Sequence, residues 1–159
     1  MSEPTTDELV AMLASMPDQL EAALTTSAAA SKAVSAQPNA ATGEDSWTTS
    51  EIVGHLCDAA RYWGGRMRRA IYEDNPQLEM FDQDAFVRLA AYRYTPTETL
   101  AREFRLVSQS NVALLRELSP EQWERVGIHS ERGPLSVRAM VEIEAGHELD
   151  HVRRFAEGS

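Results

Sequence analysis

Residues 147–151 read HELDH, two histidines four positions apart with a glutamate after the first. On a helix their rings lie one turn apart on the same face, with Cβ atoms about 5–6 Å from each other, so both can reach one divalent ion. The same spelling is the H-E-x-x-H zinc-protease signature, in which the glutamate serves as general base. A protease needs a third ligand from a later element, and after His151 only VRRFAEGS remains, with Glu157 too near on the same helix to fold back. The chain also shows no strand pattern that would offer an edge to an extended peptide. The metal reading therefore has to look upstream.

Upstream lies His55. Ile52, His55, Leu56, Ala59, Tyr62, Trp63 and Arg66 recur at three- and four-residue steps and form one inward stripe. Met140, Glu144, His147, His151 and Phe155 form the matching stripe near the end of the chain. One imidazole from the first and two from the second make a three-histidine site that leaves coordination positions for water or substrate, the layout of a catalytic site more than a structural one. Zinc suits such a site, and nickel, iron or another divalent ion would occupy it if the coordination expanded. An H-x-x-x-H pair can be a surface coincidence, and a single inward histidine is usually a hydrogen-bonded core residue. Here three of only four histidines fall on inward stripes beside Asp58, Glu144 and Glu148.

Each neighbour has an expected role. Glu144, a turn before His147, could orient a ring or add a ligand, and Asp58, a turn after His55, could hold that imidazole's other nitrogen. Glu148 is the base of the protease motif, but it sits about 100° round the helix from His147. It is read as a surface residue or a support at the site edge. His129 either lines the mouth of the site or stabilises its own loop. Arg61 and Arg66 could attract an anionic substrate, although bundle arginines more often form ordinary ion pairs. The single cysteine, Cys57, reads as a small buried residue and suits a reducing compartment.

Helices must position these groups. A first helix is expected from Pro17, a residue suited to a first turn, to about Val34, after a short turn over residues 7–14. WTTSEI then gives a capping box, Thr48 with Glu51, and a hydrophobic staple, Trp47 with Ile52, so a second helix begins near Thr49. It should end before Asn75-Pro76, and 81–94 reads as a shorter connecting helix inside a long crossover. Thr95, Pro96 and Glu98 predict the start of a third helix running to about Leu118. Ser119–Trp123 predicts a short helical turn, and HSERGPLS leads into a fourth helix, Val137 to Glu157, capped by Ser136. The 159 residues thus read as one all-α domain, a four-helix bundle with short connecting helices, with residues 1–14 as a peripheral N-terminal piece.

Two segments together resemble the DinB-like, or damage-inducible, family of bacterial metal-binding helical bundles. They are WTTSEIVGHLCDAARYWGGRM and LSPEQWERVGIHSERGPLSVRAMVEIEAGHELDHVRRF. The resemblance covers roughly residues 15–156. It implies a four-helix bundle, often a homodimer, with a divalent metal held by His55, His147 and His151. Relatives of this kind include thiol-dependent transferases and a mycothiol-dependent maleylpyruvate isomerase. The resemblance therefore implies a small-molecule substrate, a metal-activated thiol or water as nucleophile, and a low-molecular-weight thiol as co-substrate, with Glu144 or Glu148 tuning protonation. A noncatalytic, ligand-stabilised bundle and a metal-dependent hydrolase share the same ligands.

Charge and hydropathy exclude other classes. The net charge is −10 and Lys32 is the sole lysine, which argues against binding a phosphate backbone. No apolar run is long enough to cross a bilayer, and the acidic start MSEPTTDEL lacks a secretory pattern. A cytoplasmic protein is expected.

Overall fold

The computed structural model describes residues 3–26 and 47–157. The elements are α1 (Thr6–Thr26), α2 (Thr49–Tyr72), β1 (Gln77–Leu78), α3 (Gln83–Ala90), α4 (Thr97–Arg116), α5 (Pro120–Trp123), β2 (Val126–His129), β3 (Gly133–Ser136) and α6 (Val137–Glu157). Helices α1, α2, α4 and α6 form the bundle: α1 and α2 each pack against both α4 and α6, which places α1 diagonal to α2 and α4 diagonal to α6. No helix among the described residues is long and apolar enough to cross a membrane.

Local signals account for most helix ends. At the start of α2, the Thr48 side chain accepts from the Glu51 backbone N–H and the Glu51 carboxylate accepts from the Thr48 N–H at 2.8 Å. Ser119 and Gln122 repeat that box at α5, and Ser136 Oγ accepts from Ala139 N–H at 3.1 Å to cap α6. Each such cap stabilises its helix by about 1 kcal/mol.

Three expectations are corrected. The first helix does not begin at Pro17; it begins at Thr6 and carries Pro17 inside it, while residues 27–34 of the expected helix lie outside the described residues. An internal proline removes one hydrogen bond and costs about 3 kcal/mol. The stripe Leu9, Leu13, Met16, Leu20 runs straight through it and is almost wholly buried, and packing of four such side chains outweighs the local cost. Thr95 does not cap α4: the helix opens at Thr97 behind Pro96 with no side-chain cap. The segment leading into α6 is an antiparallel hairpin, with Val126 opposite Ser136 and His129 opposite Gly133, extended by β1 pairing parallel to β2. Pro134 and Gly133 within it masked any strand pattern in the sequence.

The core is divided. One apolar cluster gathers Leu13, Met67, Val112, Leu115, Met140 and Ala145, and the other gathers Met16, Leu56, Ala60, Phe104, Val152 and Phe155. On α4 the residues between the clusters are Ser108 and Asn111, and on α6 they include Glu144 and Glu148, all buried. A polar layer therefore crosses the bundle. Asn111 donates to the Ala60 carbonyl at 2.8 Å and accepts from Arg68 at 2.9 Å. The absence of a side chain at Gly64 makes room for it: a Cβ there would lie 2.2 Å from Asn111 Oδ1.

Candidate metal centre

The capped start of α2 carries His55 one turn in, and α6 carries His147 and His151 near its C-terminal end. The structure brings the three together: each offers a nitrogen, and these atoms all lie within 4.8 Å of one another. The Nε2 atoms of His55 and His147 are 2.9 Å apart. The rings are edge-on, with His55 and His147 at 90° and His147 and His151 at 84°.

This donor set fits a divalent metal. An ion about 2.0–2.1 Å from each nitrogen in a tetrahedral arrangement separates neighbouring nitrogens by about 3.3 Å, close to the 2.9 Å between His55 and His147 and inside the 4.8 Å that bounds all three. Burial, reinforced by His147 and His151, pushes His55 down to about pKa 3, so its ring is neutral and keeps a lone pair at neutral pH. His55 Nδ1 is buried without a hydrogen-bond partner among the described residues, so the Nε2 contact with His147 is what bears on the tautomer of this ring.

Other predicted site residues fall elsewhere. Asp58 does not hold the His55 ring: both of its carboxylate oxygens accept from the Tyr92 hydroxyl at 2.8 Å, and Arg61 reaches it at 3.3 Å. Tyr92 lies this close because its ring occupies the space above Gly54, where a Cβ would meet it at 2.3 Å. Arg61 also pairs with Glu103 and is committed to the α2–α4 seam. His129 serves its own loop. Its Nδ1 accepts from the backbone N–H groups of Glu131 and Arg132 at 3.2 and 3.3 Å, and its ring stacks on Trp63 at 6.4 Å.

Glu148 is not at the surface. It and Glu144 are each 1% exposed. Burial raises Glu144 to about pKa 8, opposed by a hydrogen bond from Asn111 and by Arg68. Burial and then the neighbouring Glu144 hold Glu148 well above the usual carboxylate range. One oxygen of each carboxyl has no hydrogen-bond partner among the described residues. Burial thus favours the protonated form of both, which is the opposite of the ready base that the H-E-x-x-H spelling suggests.

Aromatic rings lie beside the cluster. Trp47 lies 5.1 Å from His55, and Phe81 stacks parallel to His55 at 6.2 Å. Tyr62 stacks on Phe81 at 4.4 Å, and Phe86 closes edge-on against both. Phe81 and Phe86 come from the crossover, at a sequence distance that no motif signals.

Fold and site define a four-helix-bundle protein with a three-histidine cluster suited to a divalent metal. The chain belongs to the DinB superfamily, whose model matches residues 5–154. Two relatives from Oceanobacillus iheyensis, provisionally named metal-dependent hydrolases OB0782 and OB0413, are 30% identical over 106 residues and 27% identical over 109 residues. The matches take in 67% and 69% of this chain, and the chain spans about three-fifths of those relatives, 61% and 62%. YfiT from Bacillus subtilis, described as a probable metal-dependent hydrolase with an unusual four-helix bundle topology, shares the fold. It superposes with a TM-score of 0.82 over 100% of this chain and 88% of that one, at 19% identity.

Proposed function

We propose that this protein is a metal-dependent enzyme acting on a small molecule, with a divalent ion such as zinc or nickel held by His55, His147 and His151. The convergence of three nitrogens within 4.8 Å carries the reading. A bound ion there supplies Lewis-acid chemistry, lowering the pKa of a water or thiol so that it becomes nucleophilic near neutral pH.

The chain's own groups divide the remaining work. His55 presents a neutral ring because burial opposes its protonation. Burial favours the protonated forms of Glu144 and Glu148 on the buried side of α6, which suits them to donate a proton or to support the site sterically more than to act as bases. Trp47 and Phe81 line His55 with apolar surface, and Tyr62 backs Phe81, which keeps water out and strengthens polar interactions inside. The relatives' names support hydrolysis, and the resemblance to thiol-dependent transferases supports a low-molecular-weight thiol as co-substrate. The homodimer rests on the resemblance alone.

The test is metal content by mass spectrometry on untagged protein and on His151→Ala. Stoichiometric metal in the first and little in the second is expected, and negligible metal in both would end the proposal. Cobalt-substituted protein then separates the two nucleophiles, since only a coordinating thiol adds a thiolate charge-transfer band.

A further inference from the structure

Arg66 is a buried cation that no carboxylate among the described residues neutralises. It is 7% exposed, it forms no salt bridge there, and its Nε has no hydrogen-bond partner. One terminal nitrogen donates to the Glu79 backbone carbonyl. The guanidinium carbon lies 4.7 Å from the centre of the Trp63 ring and 5.3 Å from that of Tyr62. Guanidinium carries five donors in a rigid fork and cannot shed its charge. Anchoring one carbonyl needs neither the charge nor the fork, and burying an unneutralised charge is costly.

Its position gives that charge a purpose. Arg66 stands three turns past His55 on the same stripe of α2, about 16 Å along the axis at 1.5 Å per residue. Helical side chains lean toward the N-terminus, and contact with Tyr62 and Trp63 shows the guanidinium folded back by about one turn toward His55. Roughly 10 Å then separates it from the histidine cluster. The interval is bridged by two half-buried rings, Tyr62 stacked on Phe81 and Phe81 in turn stacked parallel to His55.

We propose that Arg66 binds the anionic end of the substrate, a carboxylate taken by the guanidinium donors that the Glu79 carbonyl does not use, while an apolar stretch lies along Tyr62 and Phe81. The anion site stands on Arg66 by itself; only the assignment of the other end to the histidine cluster rests on the function proposed above. The substrate class is a small carboxylic acid whose reactive group and carboxylate are separated by about six to eight bonds, given the ~10 Å interval.

The probes are hexanoate and 1-hexanol, equal in length and different only at the end group. They are titrated into metal-free protein while tryptophan fluorescence is followed, because the Trp63 ring lies beneath the guanidinium. Hexanoate should bind at least about tenfold more tightly than hexanol, and Arg66→Met should erase the preference while hexanol binding and the circular dichroism spectrum stay as in the unmodified protein. Should Arg66→Met fail to fold, Arg66→Gln keeps a donor for the Glu79 carbonyl and answers the same question. Equal affinities in the unmodified protein, or a preference that survives in the folded variant, would overturn the proposal. Since metal is absent from the titration, its outcome is independent of whether His151→Ala loses metal.

Discussion

His55 Nε2 and His147 Nε2 approach to 2.9 Å although 92 residues separate them. One sits at the capped start of α2 and the other near the end of α6, so this contact ties the two helices at one face of the bundle. Two imidazole nitrogens at that distance either share a single proton or are held by one positive ion.

Replacement of His55 by alanine should therefore lower zinc affinity by more than about 100-fold, beyond the loss expected for an outer hydrogen-bonding partner. A competitive chelator titration measures it. Since His55 is buried and neutral, the metal-free variant should still fold, and an affinity within a few fold of the unmodified protein would remove His55 from the ligand set.

Asp58→Asn is expected to behave differently. Asp58 accepts from Tyr92 and meets Arg61, and it does not touch the His55 ring's free nitrogen. The substitution should cost about 1–2 kcal/mol of stability through the crossover and leave zinc affinity near that of the unmodified protein. Parallel denaturant and chelator titrations separate the two effects.

Glu144 governs a pH dependence. Its folded pKa, about 8, lies above the unfolded value of 4.5. Its contribution is complete below pH 4.5 and is lost as the pH rises toward 8, because the unfolded chain releases the proton first. Glu144→Gln should flatten the fall in melting temperature of the metal-free protein between those limits, a difference on the order of a few kcal/mol at pH 8. An unchanged slope would mean that the carboxyl is already ionised in the fold. His55 acts at the other end: its folded pKa, about 3, lies below the usual 6.5, so its contribution is present above pH 6.5 and lost as the pH falls toward 3.

Gly64→Ala tests the polar layer. A Cβ at this position meets Asn111 Oδ1 at 2.2 Å, and Asn111 is tied to Ala60, Arg68 and Glu144. Alanine normally favours a helix over glycine by up to about 1 kcal/mol. Here it should instead destabilise by at least about 2 kcal/mol in a urea melt, whereas Gly65→Ala, with open space around its Cβ, should be neutral or stabilising.

The sequence by itself determined the periodic stripes, the capped starts at Thr48, Ser119 and Ser136, and the placing of His55, His147 and His151 on inward faces. Those features depend on residues three or four apart, and neighbours at that range dictate helix phase and helix ends. Tertiary structure decided what depends on distant partners. Packing of Leu13, Met16 and Leu20 carried α1 through Pro17 against its local preference. The approach of Tyr92 over Gly54 took Asp58 away from His55, and the diagonal reach of Asn111 toward α6 made a buried site for Glu144 beside Glu148. Arg61 and Arg66 look alike in the sequence, since either charge could meet an acid anywhere in the chain. Only the fold gave Arg61 to Glu103 and left Arg66 between two aromatic rings with no described acid in reach.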